Sequence, residues 1–147
     1  MDMKRKTHNI SKKRGFTLLE LLVVISIIGI LLALGVVAFT TAQRKSRDAK
    51  RRADIKSMQD GFEQYYAGNN GYGTCAAMQT SDNFPGGPPV DPKDAAPYVY
   101  NCTAPHSSFD YCICARLEAG GGNATGNDCA GYGSTSDGDF YCLTNLQ

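Results

Sequence analysis

One carboxylate and six thiols are the side chains of this chain whose surroundings demand an explanation. Glu20 stands at the head of an apolar run, Leu21 to Phe39, that contains nineteen residues and no charge. A carboxylate in such a run is costly, and it needs either water at an interface or a cation about one helical turn away. The thiols are Cys75, Cys102, Cys112, Cys114, Cys129 and Cys142, all in the C-terminal half. An even number of cysteines in a short exported segment reads as a disulfide framework in an oxidising compartment. Cys112 and Cys114 lie two apart on one face of an expected strand, so each is expected to bond to another segment. The alternative use is metal ligation by Cys112 and Cys114 with His106. A third group is acidic: the loop from Glu118 to Asp139 is rich in Gly, Asn and Asp. Asp128, Asp137 and Asp139 are its candidate calcium ligands, although the spacing departs from an EF-hand loop and a solvated turn explains the same residues. Asn101-Cys102-Thr103 and Asn123-Ala124-Thr125 fit the glycosylation pattern. His8 and His106 stand alone, the serines have no evident base, and no glycine-rich phosphate loop follows a strand. The residues contain no catalytic constellation, and an enzyme is not expected.

The elements that would position these groups follow from periodicity. At about 1.5 Å per residue, the charge-free run matches the roughly 30 Å hydrocarbon core of a bilayer. Residues 1–15 carry six basic side chains and one acid, and have no apolar stretch of their own. Helical character continues past the apolar run: Ile55, Met58, Phe62 and Tyr65 or Tyr66 recur at spacings of three and four, an amphipathic stripe suited to packing on a sheet. Gly68-Asn69-Asn70-Gly71 supplies helix-stop chemistry near Ala67. Residues 69–97 read as a loop, with Pro85-Gly86-Gly87-Pro88-Pro89 as its strongest breaker. Strands are expected at Tyr98–Asn101, Tyr111–Leu117 and Phe140–Leu143. In the middle one, Tyr111, Ile113, Ala115 and Leu117 alternate with Cys112, Cys114 and Arg116. The aliphatic face should meet the helix stripe, and connections too long for tight hairpins imply a small antiparallel meander. The expected class is therefore α+β, a long N-terminal helix packed on a small antiparallel, disulfide-braced sheet.

Lys12-Lys13-Arg14-Gly15-Phe16-Thr17-Leu18-Leu19-Glu20, followed by the apolar run, resembles the N-terminus of a type IV pilin or a type II secretion pseudopilin. The resemblance is close over about 12 to 40 and looser out to Tyr66. It implies the pilin fold and a division into a leader at 1–15, a helix at 16–67 whose residues 16–39 form the transmembrane segment and filament core, and a globular head at 68–147. It implies that a prepilin peptidase cuts between Gly15 and Phe16 on the cytoplasmic side and methylates the new Phe16 amine. Retention of Lys and Arg on the cytoplasmic face agrees with that placement. Glu20 would then pair with the Phe16 amine of a neighbouring subunit and set register in a homo-oligomeric filament. An assembly ATPase and a membrane platform protein would extract the subunit from the inner membrane to a cell-surface or periplasmic filament. The resemblance further implies a Cys129–Cys142 disulfide closing the last loop, and calcium in the 118–139 loop if the chain is a major pseudopilin. Gly29 and Gly35 leave two readings open, close helix contacts or local melting inside a filament. A permanently anchored, cysteine-bridged binding domain that never polymerises is the alternative of another class.

Net charge is +1 overall, but its distribution is uneven. Residues 44–56 hold seven cations and two acids, whereas from 69 onward two cations face eight acids. The basic segment reads as a solvated face, a contact for anionic lipid head groups, or an assembly surface for acidic heads. Nucleic-acid binding is a weaker reading, because interleaved aromatics are missing and the head is acidic.

Overall fold

The computed structural model describes residues 15–80, 82–103, 110–129, 132–133 and 138–147. The basic leader up to Arg14, His106 and Asp137 therefore lie outside the described residues. Helix α1 spans Leu18–Asn69, and the chain divides into two compact units at Phe39 and Thr40.

In the first unit the helix is unbroken through Gly29 and Gly35, and a Cβ at either would meet nothing within 4 Å. Its large apolar side chains are all exposed. The best membrane-length window has a mean hydropathy of 3.1 and none of it is buried. Leucine, isoleucine and valine keep every backbone group bonded inside the helix while presenting only hydrocarbon outward, as a lipid-facing segment must. Ser26 obeys the same rule by donating its hydroxyl to Leu22 O at 2.8 Å.

In the second unit the amphipathic stripe finds its sheet. Ile55, Met58 and Phe62 pack against Tyr111, Ile113 and Ala115, with Tyr72, Met78 and Phe84 completing the core. Tyr65 and Tyr66 join at its edge. Phe62 meets Tyr111 edge-on at 5.1 Å between ring centroids, an arrangement that sets a ring's positive edge on a negative face. The helix ends two residues beyond the expected stop. Asn70 takes the left-handed conformation (φ 55°), which short polar side chains tolerate, and its N–H bonds Tyr66 O at 2.7 Å.

The sheet is a three-stranded antiparallel meander: β1 Asn101–Thr103, β2 Cys112–Arg116 and β3 Phe140–Thr144, in that order. Ile113 pairs with both Cys102 and Leu143. The first strand lies later than the expected Tyr98–Asn101. Tyr98 makes only an isolated bridge to Ala95, and Tyr100 donates its hydroxyl to Asp54 on α1 at 2.6 Å. A side chain committed to the helix fixes that segment by its tip instead of by a ladder. The expected loop before the sheet also contains a short helix, α2, Cys75–Met78, capped by Thr74, whose hydroxyl accepts from Ala77 N. Strand β2 is covered on both sides. Cys112, Cys114 and Cys142 form a second cluster with Ala124, and Cys129 packs against it, so this part of the loop covers the face opposite the helix.

Candidate functional site

The apolar helix begins with a capping box. Thr17 precedes α1, its hydroxyl oxygen accepts from Glu20 N at 3.2 Å, and its own N–H donates to Glu20 Oε2 at 2.9 Å. The Thr17 hydroxyl also donates to Oε2 at 2.9 Å. Thr–x–x–Glu is the sequence form of this reciprocal cap. It gives the exposed carboxylate a local partner that charge and hydropathy alone did not suggest. Both bonds fall on one oxygen, so Oε1 can accept a further donor. Gly15 and Phe16 sit just before the cap, with Phe16 88% exposed.

The basic segment at 44–56 is in part an interior. Arg51 is fully buried, and Asp48 and Asp91 are buried with it. The Arg51 guanidinium grips Asp91 with Nε at 2.6 Å and Nη2 at 3.0 Å, and its Nη1 reaches Asp48 at 2.7 Å and Glu118 at 2.8 Å. Arg47 makes a second two-pronged contact with Glu118, both bonds 2.7 Å, and Lys93 Nζ adds one at 2.9 Å. Asp48 also accepts from the N–H groups of Glu118 and Ala119. Three cations meet three carboxylates, and the loops bearing Asp91 and Glu118 are tied to one stretch of helix. The Tyr98 ring lies 4.8 Å from Arg51 Cζ and 4.2 Å from Lys93 Nζ. Burial opposes the Arg51 charge, but hydrogen bonds to Asp91, Glu118 and Asp48 outweigh it and hold the guanidinium above its ordinary value. The Arg47 guanidinium holds Glu118 well below the carboxylate range, helped by Lys93 and Arg51 and against burial.

The reading of the whole basic segment as a solvated face is thereby corrected for Arg47 and Arg51. A sequence signal existed in the Asp48–Arg51 spacing of three, but their partners at 91 and 118 are set by the fold. A second carboxylate, Glu63, accepts from the Tyr72 and Tyr111 hydroxyls and from Leu146 N. Burial, then the hydrogen bond to Glu63, pushes both phenols up. Tyr100 is likewise pushed up by burial and by Asp54.

All six cysteines are paired: Cys75–Cys102, Cys112–Cys129 and Cys114–Cys142. The expected Cys129–Cys142 bond is not formed. Cys142 lies directly across the ladder from Cys114, with Cα atoms 4.1 Å apart, which leaves Cys129 to Cys112. Cys112 and Cys114 do bond to other segments, as their shared strand face requires. Asp128 and Asp139 are both exposed. Among the described residues the loop acids form no group of three. The one convergence of metal-capable side chains there is Cys112, Cys114, Cys129 and Cys142, a sulfur set that suits soft cations and not calcium.

The family model for the prokaryotic N-terminal methylation motif matches residues 10–36, the segment that holds the Gly15–Phe16 junction, the capping box and most of the apolar run. That segment is similar to the N-terminus shared by type IV pilins and type II secretion pseudopilins. It is 31% identical over 65 residues to the type IV major pilin protein PilA of Myxococcus xanthus, covering 44% of this chain and 30% of that protein. It is 40% identical over 63 residues to the type II secretion system core protein G of Escherichia coli, covering 43% of each. The corresponding protein of Pectobacterium carotovorum is 39% identical over 61 residues, 42% of this chain and 39% of that one. The chain thus spans less than half the length of the curated relatives it matches. No solved structure matches it.

Proposed function

We propose that this chain is a structural subunit of a type IV pilus-like filament, made as an inner-membrane precursor and polymerised through its N-terminal helix. Its role is architectural and not catalytic. A prepilin peptidase cuts between Gly15 and Phe16 and methylates the Phe16 amine. The apolar helix then exchanges lipid for neighbouring helices as an assembly ATPase and a membrane platform protein draw it out. The carrying observation is Glu20, a carboxylate at the start of a stretch of helix that is exposed and otherwise uncharged as far as Phe39, directly behind that junction and inside the methylation motif. Its Oε1 can take the Phe16 amine of an adjacent copy while Oε2 keeps the cap. Such a pair specifies register more than it adds stability. Mass spectrometry of the mature chain should find a methylated Phe16 as the first residue, and a Glu20→Ala strain should lose filaments while keeping the processed subunit in the membrane. A chain that retains residues 1–15 and stays dispersed as an anchored binding domain sinks the proposal.

The second reading is a type II secretion pseudopilus subunit, favoured by the identity to core protein G. Calcium held by Asp128, Asp137 and Asp139 belongs to that reading. Added calcium should then raise the unfolding temperature of the chain, and an Asp128→Asn variant should lose the increment.

A further inference from the structure

The six sulfurs are of two kinds. Cys75–Cys102 stands apart and ties α2 to β1. The other four form one knot. Their Sγ atoms all lie within 4.8 Å of one another. Cys114 Sγ is 3.5 Å from Cys112 Sγ and 3.8 Å from Cys129 Sγ, although neither is its disulfide partner. A tetrahedral cation with metal–sulfur bonds of about 2.3 Å needs sulfurs about 3.8 Å apart. Those cross-distances already meet the requirement. The two bonded pairs would have to spread, and every other pair already lies within 4.8 Å.

The frame is also suited to a fixed site. Cys112 and Cys114 project from one face of β2, and Cys142 faces Cys114 from β3. Cys129 approaches from the loop with a left-handed backbone (φ 60°). Cys112, Cys114 and Cys142 are buried, so three of the four ligands stand on paired strands in a dry setting beside Ala124 and Phe140. Arg116 follows on the same face of β2, with its guanidinium 5.9 Å from the Phe140 ring centroid. It places a positive charge near a complex of one divalent cation and four thiolates, whose net charge is negative.

We propose that Cys112, Cys114, Cys129 and Cys142, once reduced, form a tetrathiolate site for one soft divalent cation of the zinc class. A dithiol reductant opens each disulfide, giving two electrons and two protons to the pair of sulfurs and becoming a cyclic disulfide itself. The cation then displaces the thiol protons, and its own oxidation state does not change. Metal and disulfides are mutually exclusive uses of the same sulfurs. The cation would hold the loop bearing Cys129 against the sheet before oxidation makes that attachment covalent.

The test uses the full chain in detergent, reduced with a dithiol, freed of it under anaerobic conditions and titrated with Co(II). The expected result is one Co(II) per chain with tetrahedral thiolate absorption, displaced by Zn(II) and missing from the oxidised chain. The Cys75→Ser/Cys102→Ser variant should keep that absorption, and Cys114→Ser/Cys142→Ser should lose it. Near-ultraviolet circular dichroism keeps the result interpretable if reduction loosens the head, because Zn(II) should then restore the folded signal. Failure of the reduced chain to take up Co(II), equal uptake by the Cys114→Ser/Cys142→Ser variant, or uptake without a folded near-ultraviolet signal overturns the proposal.

Discussion

The helix from Leu18 to Phe39 and the unit from Thr40 to Gln147 obey opposite burial rules. In the first, large apolar side chains are between 45% and 82% exposed from Leu18 onward, and the one acid is satisfied by its own helical turn. In the second, an arginine is 0% exposed and two aspartates 5%, and no buried side-chain nitrogen or oxygen lacks a partner among the described residues. The second unit supplies its own cover: an aromatic and aliphatic core, three disulfides, and a charge cluster closed on itself. The first can be covered only by something external, a bilayer or copies of the same helix. One region is finished by folding and the other by its surroundings.

The largest effect that could break this comparison lies in the charge cluster. Arg51→Ala leaves Asp48, Asp91 and Glu118 facing one another around a vacated centre, and removing one partner of a buried ion pair costs about 3–5 kcal/mol. Denaturant unfolding followed by near-ultraviolet circular dichroism should show that loss. Arg51→Lys should fall between the two, since an ammonium keeps the charge but not the fork that grips Asp91. The exposed Lys50→Ala should stay within about 0.5 kcal/mol of the parent. A similarly small change for Arg51→Ala would mean that the cluster decorates the second unit without completing it.

pH sharpens the same point. The folded value of Glu118 is depressed, so the stability it contributes is complete above its unfolded value of about 4.3 and is lost as pH falls below that toward the folded value. The raised phenols of Tyr72, Tyr100 and Tyr111 act at the other end. Their contribution is complete below the unfolded tyrosine value of about 10 and is lost as pH rises through the alkaline range. Thermal unfolding across pH should therefore fall away on both sides of a broad plateau. In Glu118→Gln the acid limb should become shallower while the alkaline limb stays. An unchanged acid limb would show that other carboxylates govern it.

The two regions also differed in how much of each was legible in the sequence. The apolar helix was read from composition alone, because lipid imposes a rule on every residue between Leu21 and Phe39. The stripe Ile55, Met58, Phe62 and its meeting with Ile113 and Ala115 were legible because period and alternation are local signals. The Arg51 cluster was not. Asp91 and Glu118 lie forty and sixty-seven residues away, and nothing in a run of basic residues says which one turns inward. The disulfide pairing was hidden for the same reason, since it depends on the register that sets Cys142 opposite Cys114. The Glu20 cap is different. Its Thr17-x-x-Glu20 signature is local and legible, with a hydroxyl and a backbone N–H meeting the carboxylate where charge alone suggests a cation.

Glycine gives the comparison a change of sign. A Cβ at Gly61 would run into the Phe84 ring, whereas at Gly29 it would meet nothing. Alanine is preferred over glycine in a helix by about 1 kcal/mol, and overpacking a filled core costs typically about 1–3 kcal/mol. Gly61→Ala should thus destabilise the second unit by about 1 kcal/mol net, read by denaturant unfolding. Gly29→Ala should leave that transition unmoved and make the apolar helix more resistant to amide exchange in detergent. Loss of filaments in Gly29→Ala, with the subunit still processed, would show that the small residue serves packing between copies. A destabilised head in Gly29→Ala would break the separation of the two units.

The smallest effect tests how Glu20 divides its two oxygens. Thr17→Ala removes the hydroxyl that donates to Oε2 and accepts from Glu20 N, and losing an N-cap side chain costs typically about 1 kcal/mol. At the membrane surface, where this turn begins, N–H groups released from the cap meet water, so the loss should appear as faster amide exchange at residues 18–21 in nanodiscs. Thr17→Ser keeps the hydroxyl and should exchange like the parent. The variant also separates local from intermolecular use of the carboxylate. If the cap only shapes the first turn, Thr17→Ala frays that turn while filaments still form. If the cap aims Oε1 at the amine of the next copy, filaments are lost in Thr17→Ala as in Glu20→Ala and return in Thr17→Ser. Unchanged exchange in Thr17→Ala would remove the capping box from the account and leave Glu20 to act between copies alone.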